Sequence, residues 1–157
     1  MKPASAAAAL RVQAVLGSHF QVLEFDVSTR TAVDAAAAIG CKVAEIAKSL
    51  VFKGATSGRA VLIVASGVNR VSEAKVEAQI GEPIARADAD FVREKTGFAI
   101  GGVPPVGHAE PPIAILDEDL RQFDAIWAAA GAPNAVFRLT PKDLSRLTNS
   151  EFADVKI

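Results

Sequence analysis

Two parts of the chain combine residue types that could handle an anion or a carbonyl. Lys48 stands in Ile46-Ala47-Lys48-Ser49-Leu50-Val51-Phe52, a lone charge among mostly apolar neighbours. A lysine projecting from an apolar wall into a cleft is partly desolvated, which strengthens its pull on an anion. The same lysine could instead close a helix C-terminus in solvent, where it complements the helix dipole. The second part, Thr96 to His108, carries an apolar run into Gly101-Gly102, turns through Pro104-Pro105 and leaves by Gly107-His108. Glycine allows close approach to the peptide N–H groups, and proline fixes the flanks. Such a loop could present amides to a carbonyl oxygen or a phosphate. A tight turn between two strands is the competing reading. His108 could be an acid, a base or a hydrogen-bond donor, or a rim residue satisfied by backbone.

Other chemistries find little support. Ser49 and Ser66 sit in no nucleophile-elbow pattern, and no histidine and acid are placed to complete a triad. Asp117, Glu118 and Asp119 read as a solvated turn. Cys41 is the only cysteine, so no internal disulfide is available, and beside it only His19 and His108 could add soft ligands. No zinc-type cluster is evident, and no metal or cofactor is expected. Gly101-Gly102 precedes Pro-Pro rather than a helix, which is not the dinucleotide fingerprint. A formal net charge of −1 argues against nonspecific coating of nucleic acid, yet leaves room for a local basic face. No apolar stretch approaches bilayer length and no signal-type core precedes a cleavage site, so a soluble cytoplasmic protein is expected.

The elements that must position these residues follow from local signals. Ala4 to Leu16 is alanine-rich and stops at Gly17, a helix; His19 to Val27 reads as a strand. Thr31 to Asp34 has capping-box spacing ahead of a helix ending at Gly40, and a short helix is expected over Lys42 to Ala47. Ser49–Lys53 and Ala60–Ala65, joined by Gly-Ala-Thr-Ser-Gly, should form a hairpin whose continuously apolar second arm is central and buried on both faces. Ser72 caps a helix to Ile80 and Asp88 caps another to Lys95, with a short strand at Ile84 to Ala87 between them. Pro112 to Leu116 is a strand leaving the glycine loop. Asp124 to Gly131 permits either a helix or the first arm of a hairpin with Ala135 to Leu139. Thr140-Pro141 opens a last helix to about Leu147. Strands and helices interleave without regular alternation, which favours a one-domain α+β fold over a doubly wound sheet.

Taken together, Ile46 to Phe52, Thr96 to His108 and Phe152-Ala153-Asp154-Val155 resemble the YbaK/EbsC family of aminoacyl-tRNA deacylases, which includes the editing domain inserted in bacterial prolyl-tRNA synthetases. The resemblance spans nearly the whole chain. It implies a curved mixed, largely antiparallel sheet wrapped by helices over residues 1–157, with Asp124 to Leu139 as a hairpin. It also implies metal-independent trans-editing: hydrolysis of the ester joining a wrong amino acid to the 3′-terminal adenosine of a tRNA, often tRNA(Pro). Lys48 would contact the aminoacyl-adenosine end, with Gly101 and Gly102 aiding catalysis. Ser49, Pro104, Pro105, Gly107 and His108 would seat the substrate. Water would be activated with help from the substrate's own ribose hydroxyl. The Gly-Gly-Val-Pro-Pro-Val-Gly-His loop is closer to free-standing ProX-like members than to the Gly-Gly-Ile-Ser-Pro form of Cys-tRNA(Pro) deacylases. That points to a pocket for alanine, serine, threonine or another small residue such as cysteine. The expected partners are an aminoacyl-tRNA 3′ end and a prolyl-tRNA synthetase, with no membrane or DNA; Lys42, Lys53 and Arg93 are the basic residues nearest the presumed cleft in sequence.

Overall fold

In the computed structural model, which describes residues 1–157, the chain runs β1 (Lys2–Pro3), α1 (Ala7–Leu16), β2 (Val22–Glu24), α2 (Ala32–Ile39), β3 (Ile46–Gly54), β4 (Ala60–Ser66), α3 (Glu73–Ile80), β5 (Ile84–Arg86), α4 (Ala89–Thr96), β6 (Ile113–Asp117), β7 (Ile126–Ala129), β8 (Ala135–Leu139), α5 (Pro141–Thr148) and β9 (Phe152–Ala153). The strands form one sheet in the order β1-β2-β8-β7-β3-β4-β6-β9, with β5 added to β3. The pairs β3/β7, β4/β6 and β6/β9 are parallel and the rest antiparallel, so this is a mixed α+β sheet.

Strand β4 is the centre, as its apolar sequence requires. Every residue from Ala60 to Ser66 is buried. Its side chains alternate between two cores: Leu62 and Val64 join α1, α4 and α5 through Val12, Val92 and Leu144, while Val61 and Ile63 join Val76 of α3. Each buried aliphatic side chain contributes roughly 1.5–3 kcal/mol, so this strand anchors both faces. A third small cluster sets Ala35 and Ala36 of α2 against Ile46 of β3, with Trp127 of β7 packed on it.

Most expected elements are present, including the β7–β8 hairpin, paired from Ile126↔Leu139 to Ala129↔Val136. Three differ. The helix expected over Lys42 to Ala47 is only a 3-10 turn at Val43–Glu45, because Ile46 and Ala47 are already paired to Trp127 and Ala128. The strand expected over His19 to Val27 is confined to Val22–Glu24. The Gln13 side chain accepts the Val22 N–H and donates to the Phe20 carbonyl, ending the ladder on one side. Helix α1 begins at Ala7 rather than Ala4, since Glu24 of β2 reaches over to accept the N–H groups of Ser5 and Ala6, each at 2.8 Å. Those three hydrogen bonds, counting the Ser5 hydroxyl, hold the buried Glu24 carboxyl below its usual range.

Candidate active site

The site begins as a gap in the sheet. Strand β3 pairs with β4 from Ala47 to Lys53, but its other edge meets β7 only at Ile46 and Ala47, and β5 only from Phe52 to Gly54. Between them, Lys48 to Val51 have no strand partner on that edge. Main-chain groups of successive residues point to alternate edges of an antiparallel strand. The Ile46 carbonyl accepts the Gly67 N–H on the β4 side, so the N–H and C=O of Ser49 face the gap. Helix α2 and the Ile100–Val103 segment wall this gap into a cavity of about 320 Å³.

Lys48 therefore sits inside a strand, on the cavity lining, and not at a helix end. Its Nζ donates to the Asn69 carbonyl at 2.6 Å and lies 3.5 Å from the Gly67 carbonyl. Two carbonyls occupy two of its three donors, leaving one for a ligand. Burial lowers its pKa, opposed by Asp117, while Arg70 adds to the lowering. The turn that holds it is braced from below. The Asn69 amide donates to Asp117 and to Asp119, both at 2.8 Å, and Asp119 takes Lys156 at 2.7 Å. Asp117 is fully buried and also accepts the Ser66 N–H at 3.0 Å. The acidic turn expected to be solvated is instead part of the lysine's support, because Asn69 and the Ser66 amide supply the donors a buried carboxylate needs.

The glycine loop divides between two places. Gly101, at φ 97°, lines the cavity, and its N–H donates to no acceptor within the chain. A Cβ there would collide with Arg30, whose Nε would lie 2.5 Å away, so the missing side chain seats the arginine. Gly102 is buried with its main chain tied up: its N–H donates to Ala99 and its carbonyl accepts the Gly131 N–H at 2.8 Å. A Cβ on it would meet the Gly131 and Ala132 backbone at 3.0 Å. Beyond Val103 the chain leaves the site. Pro104 is buried outside the cavity lining, and Pro105, Gly107 and His108 line a separate cavity of about 270 Å³ against Leu62 and Leu147. There the His108 Nε2 lies 2.6 Å from the Pro104 carbonyl, which places the ring proton on Nε2. Its Nδ1 is buried without a partner, and burial lowers its pKa while the Pro104 carbonyl opposes the shift.

Lys48, Ser49 and Gly101 are thus brought together; Gly102 and Pro104 pack behind them; Pro105, Gly107 and His108 are elsewhere. Residues 26–147 match the family model of the aminoacyl-tRNA editing domain. The chain belongs to this family. It is 38% identical over 130 residues to YwhH of Bacillus subtilis (strain 168), an uncharacterised protein, covering 83% of this chain and 82% of that one. A match at 25% identity over 125 residues, 80% of this chain and 76% of the other, is to EbsC of Enterococcus faecalis (strain ATCC 700802 / V583), a candidate Cys-tRNA(Pro)/Cys-tRNA(Cys) deacylase. The crystal structure of a candidate trans-editing enzyme for prolyl tRNA synthetase superposes with a TM-score of 0.92 at 49% identity, covering 98% of this chain and 99% of that one. These findings agree with the YbaK/EbsC resemblance of the sequence.

The cavity of this editing domain includes residues that sequence reasoning passed over. Arg30 and Trp127 line it, together with Thr29, Ala32 and Ala35 from the start of α2 and the loop before it. Arg30 has no local sequence signal, since the residue it packs on, Gly101, lies far along the chain. Trp127 is the chain's only tryptophan but falls in the segment whose secondary structure was ambiguous. Lys42, Lys53 and Arg93 are not on the lining, and the Lys53 ammonium lies over the Phe91 ring, 5.5 Å from its centroid. The only charged lining residues are Arg30 and Lys48, both cations, and neither belongs to an ion pair. The editing domain offers its ligand two cations, an unengaged glycine amide and an open strand edge, and no carboxylate.

Proposed function

We propose that this editing domain is a free-standing deacylase that hydrolyses the ester of a mischarged aminoacyl-tRNA, acting in the cytoplasm on a tRNA that carries a small wrong amino acid. The carrying observation is that one cavity is lined by both Lys48 and Gly101, a cation and a glycine whose N–H has no acceptor within the chain. An ester carbonyl placed between them would meet a cation and a fixed amide where negative charge develops as water adds. The lining supplies hydroxyls from Thr29, Thr31 and Ser49 but no histidine, so no side chain is equipped to be an activated nucleophile. Water is the nucleophile in this scheme, and the substrate's neighbouring ribose hydroxyl, as the family resemblance implies, relays the proton, taking one from the water as it gives its own to the departing ester oxygen. A carbon–oxygen bond forms to water, the ester bond to the ribose breaks, and the ribose oxygen leaves protonated. Orientation and charge stabilisation suit a bond that is already labile.

A small wrong amino acid is what the family resemblance implies for the carried residue, and Ala47, Ser49, Val103 and Ala128 are among the residues that line the cavity. Alanine, serine, threonine and cysteine are the proposed set. The likeness to a candidate trans-editing enzyme for prolyl tRNA synthetase supports tRNA(Pro) as the carrier and that synthetase as a partner. The test is release of amino acid from tRNA(Pro) and non-cognate tRNAs, each charged with these residues, at catalytic protein concentrations. Turnover of at least one mischarged species with correctly charged Pro-tRNA(Pro) spared is the expected result. Binding without turnover of any would replace the enzyme by a non-catalytic binding module.

A further inference from the structure

Resting on the proposed function, we infer that Arg30 is a substrate-positioning residue that holds the phosphate on the 5′ side of the terminal adenosine. Three observations carry this. Arg30 is exposed at the cavity rim, lines the cavity, and its guanidinium donates no hydrogen bond within the protein and pairs with no carboxylate. Its stem packs on Gly101, where a Cβ would displace it, so the bare glycine leaves the space that the arginine occupies. The only other charge on the lining, Lys48, is half-buried and anchored to the Asn69 carbonyl, further from solvent. Two cations at two depths match a ligand with a polar reacting group inside and an anion outside. An adenosine ester has that form: the carbonyl sits on the 2′ or 3′ oxygen and the phosphodiester on the 5′ oxygen at the far end of the ribose.

Guanidinium suits the outer role. Its planar fork binds phosphate oxygens through paired, charge-assisted hydrogen bonds, and it keeps its charge at any working pH. Because the contact is made to a group remote from the ester, it should act on binding more than on the chemical step. Lys48→Ala and Arg30→Ala therefore differ in kind: the first should lower the rate constant at saturation, the second should raise KM.

The test has a binding arm and a kinetic arm. In calorimetry with AMP and adenosine as probes, the wild-type protein should prefer AMP by about tenfold, as expected of one charge-assisted phosphate contact. Arg30→Ala should abolish that preference and Arg30→Lys should restore part of it. On a mischarged tRNA that the protein hydrolyses, Arg30→Ala should raise KM with kcat within about twofold. It should also flatten the slope of log affinity against log salt by about 0.7, the value for one single-strand phosphate contact. No preference for AMP in the wild type, or a preference that survives Arg30→Ala, overturns the assignment. Failure of every mischarged tRNA to be hydrolysed overturns the proposed function instead, and the binding arm still decides on Arg30.

Discussion

The two halves of the Thr96–His108 loop are chemically alike and structurally opposed. Gly101 lines the cavity with Arg30 packed on it and an N–H that has no acceptor within the chain, whereas Gly102, one residue on, is locked against the Gly131–Ala132 backbone. Past Val103, Pro105 and Gly107 face a second cavity, and His108 hydrogen-bonds back to the Pro104 carbonyl. The difference teaches that a glycine- and proline-rich motif need not be a ligand loop throughout. Its first half lines the site, and its second half packs behind it around a separate cavity.

The largest expected effect lies in the cavity that the first half of the loop helps to wall. Lys48→Ala removes the cation proposed to stabilise the ester carbonyl, and losing one such stabilising group costs on the order of 10²–10³ in rate. Single-turnover deacylation, with circular dichroism to confirm folding, measures it; unchanged activity would remove Lys48 from the mechanism. Asn69→Ala should lower the same rate constant by a smaller factor. It keeps the carbonyl that accepts Lys48 but cuts the turn free of Asp117 and Asp119. A rate equal to that of the wild type would show that the acidic brace does not position the lysine.

In the second region the expected losses are of stability. Gly102→Val forces a side chain against main chain and should cost about 1–3 kcal/mol, an overpacking penalty. For a domain of this size, each kcal/mol corresponds to roughly 2–4 °C in Tm. A Tm matching the wild type would mean that the loop can move away from Gly131. His108→Gln should have the smallest effect on rate, since the ring lines the other cavity. Its signature is in pH dependence. Burial lowers the folded pKa of His108 below the ordinary histidine value of about 6.5, so the unfolded chain takes up the proton first. Stability should therefore fall as pH drops from about 6.5 toward the lowered folded value, and His108→Gln should flatten that part of a Tm-against-pH curve. A His108 variant that is folded yet inactive on every substrate would reverse the contrast between the two halves.

Much of the fold was legible because the signals were local. The capping residues Ser72, Asp88 and Thr140 each accept an N–H from the third residue on, and Gly40, Gly81 and Gly97 close helices in the left-handed conformation. The burial of β4 followed from seven residues with no charge among them. What the sequence hid was set by distant partners. The strand starts at Ile46, ahead of Lys48, because β7, more than 70 residues later, pairs with Ile46 and Ala47. Asp117 is buried because Asn69 is there to donate to it. The cavity itself is a missing stretch of pairing between β7 and β5 along β3, and no residue type announces an absent neighbour.

Trp127 carries a practical consequence. It is the only tryptophan in a chain with no tyrosine, it is half-buried, and it lines the cavity from β7, paired to Ile46 in the strand that bears Lys48. Intrinsic fluorescence excited at the red edge of the protein band therefore comes from one indole at the site. A nucleobase stacking on that ring would quench its emission, and a ligand that only expels water would shift the emission to the blue. Occupancy can thus be followed in the unlabelled protein, with stopped-flow resolution, before any ester is cleaved.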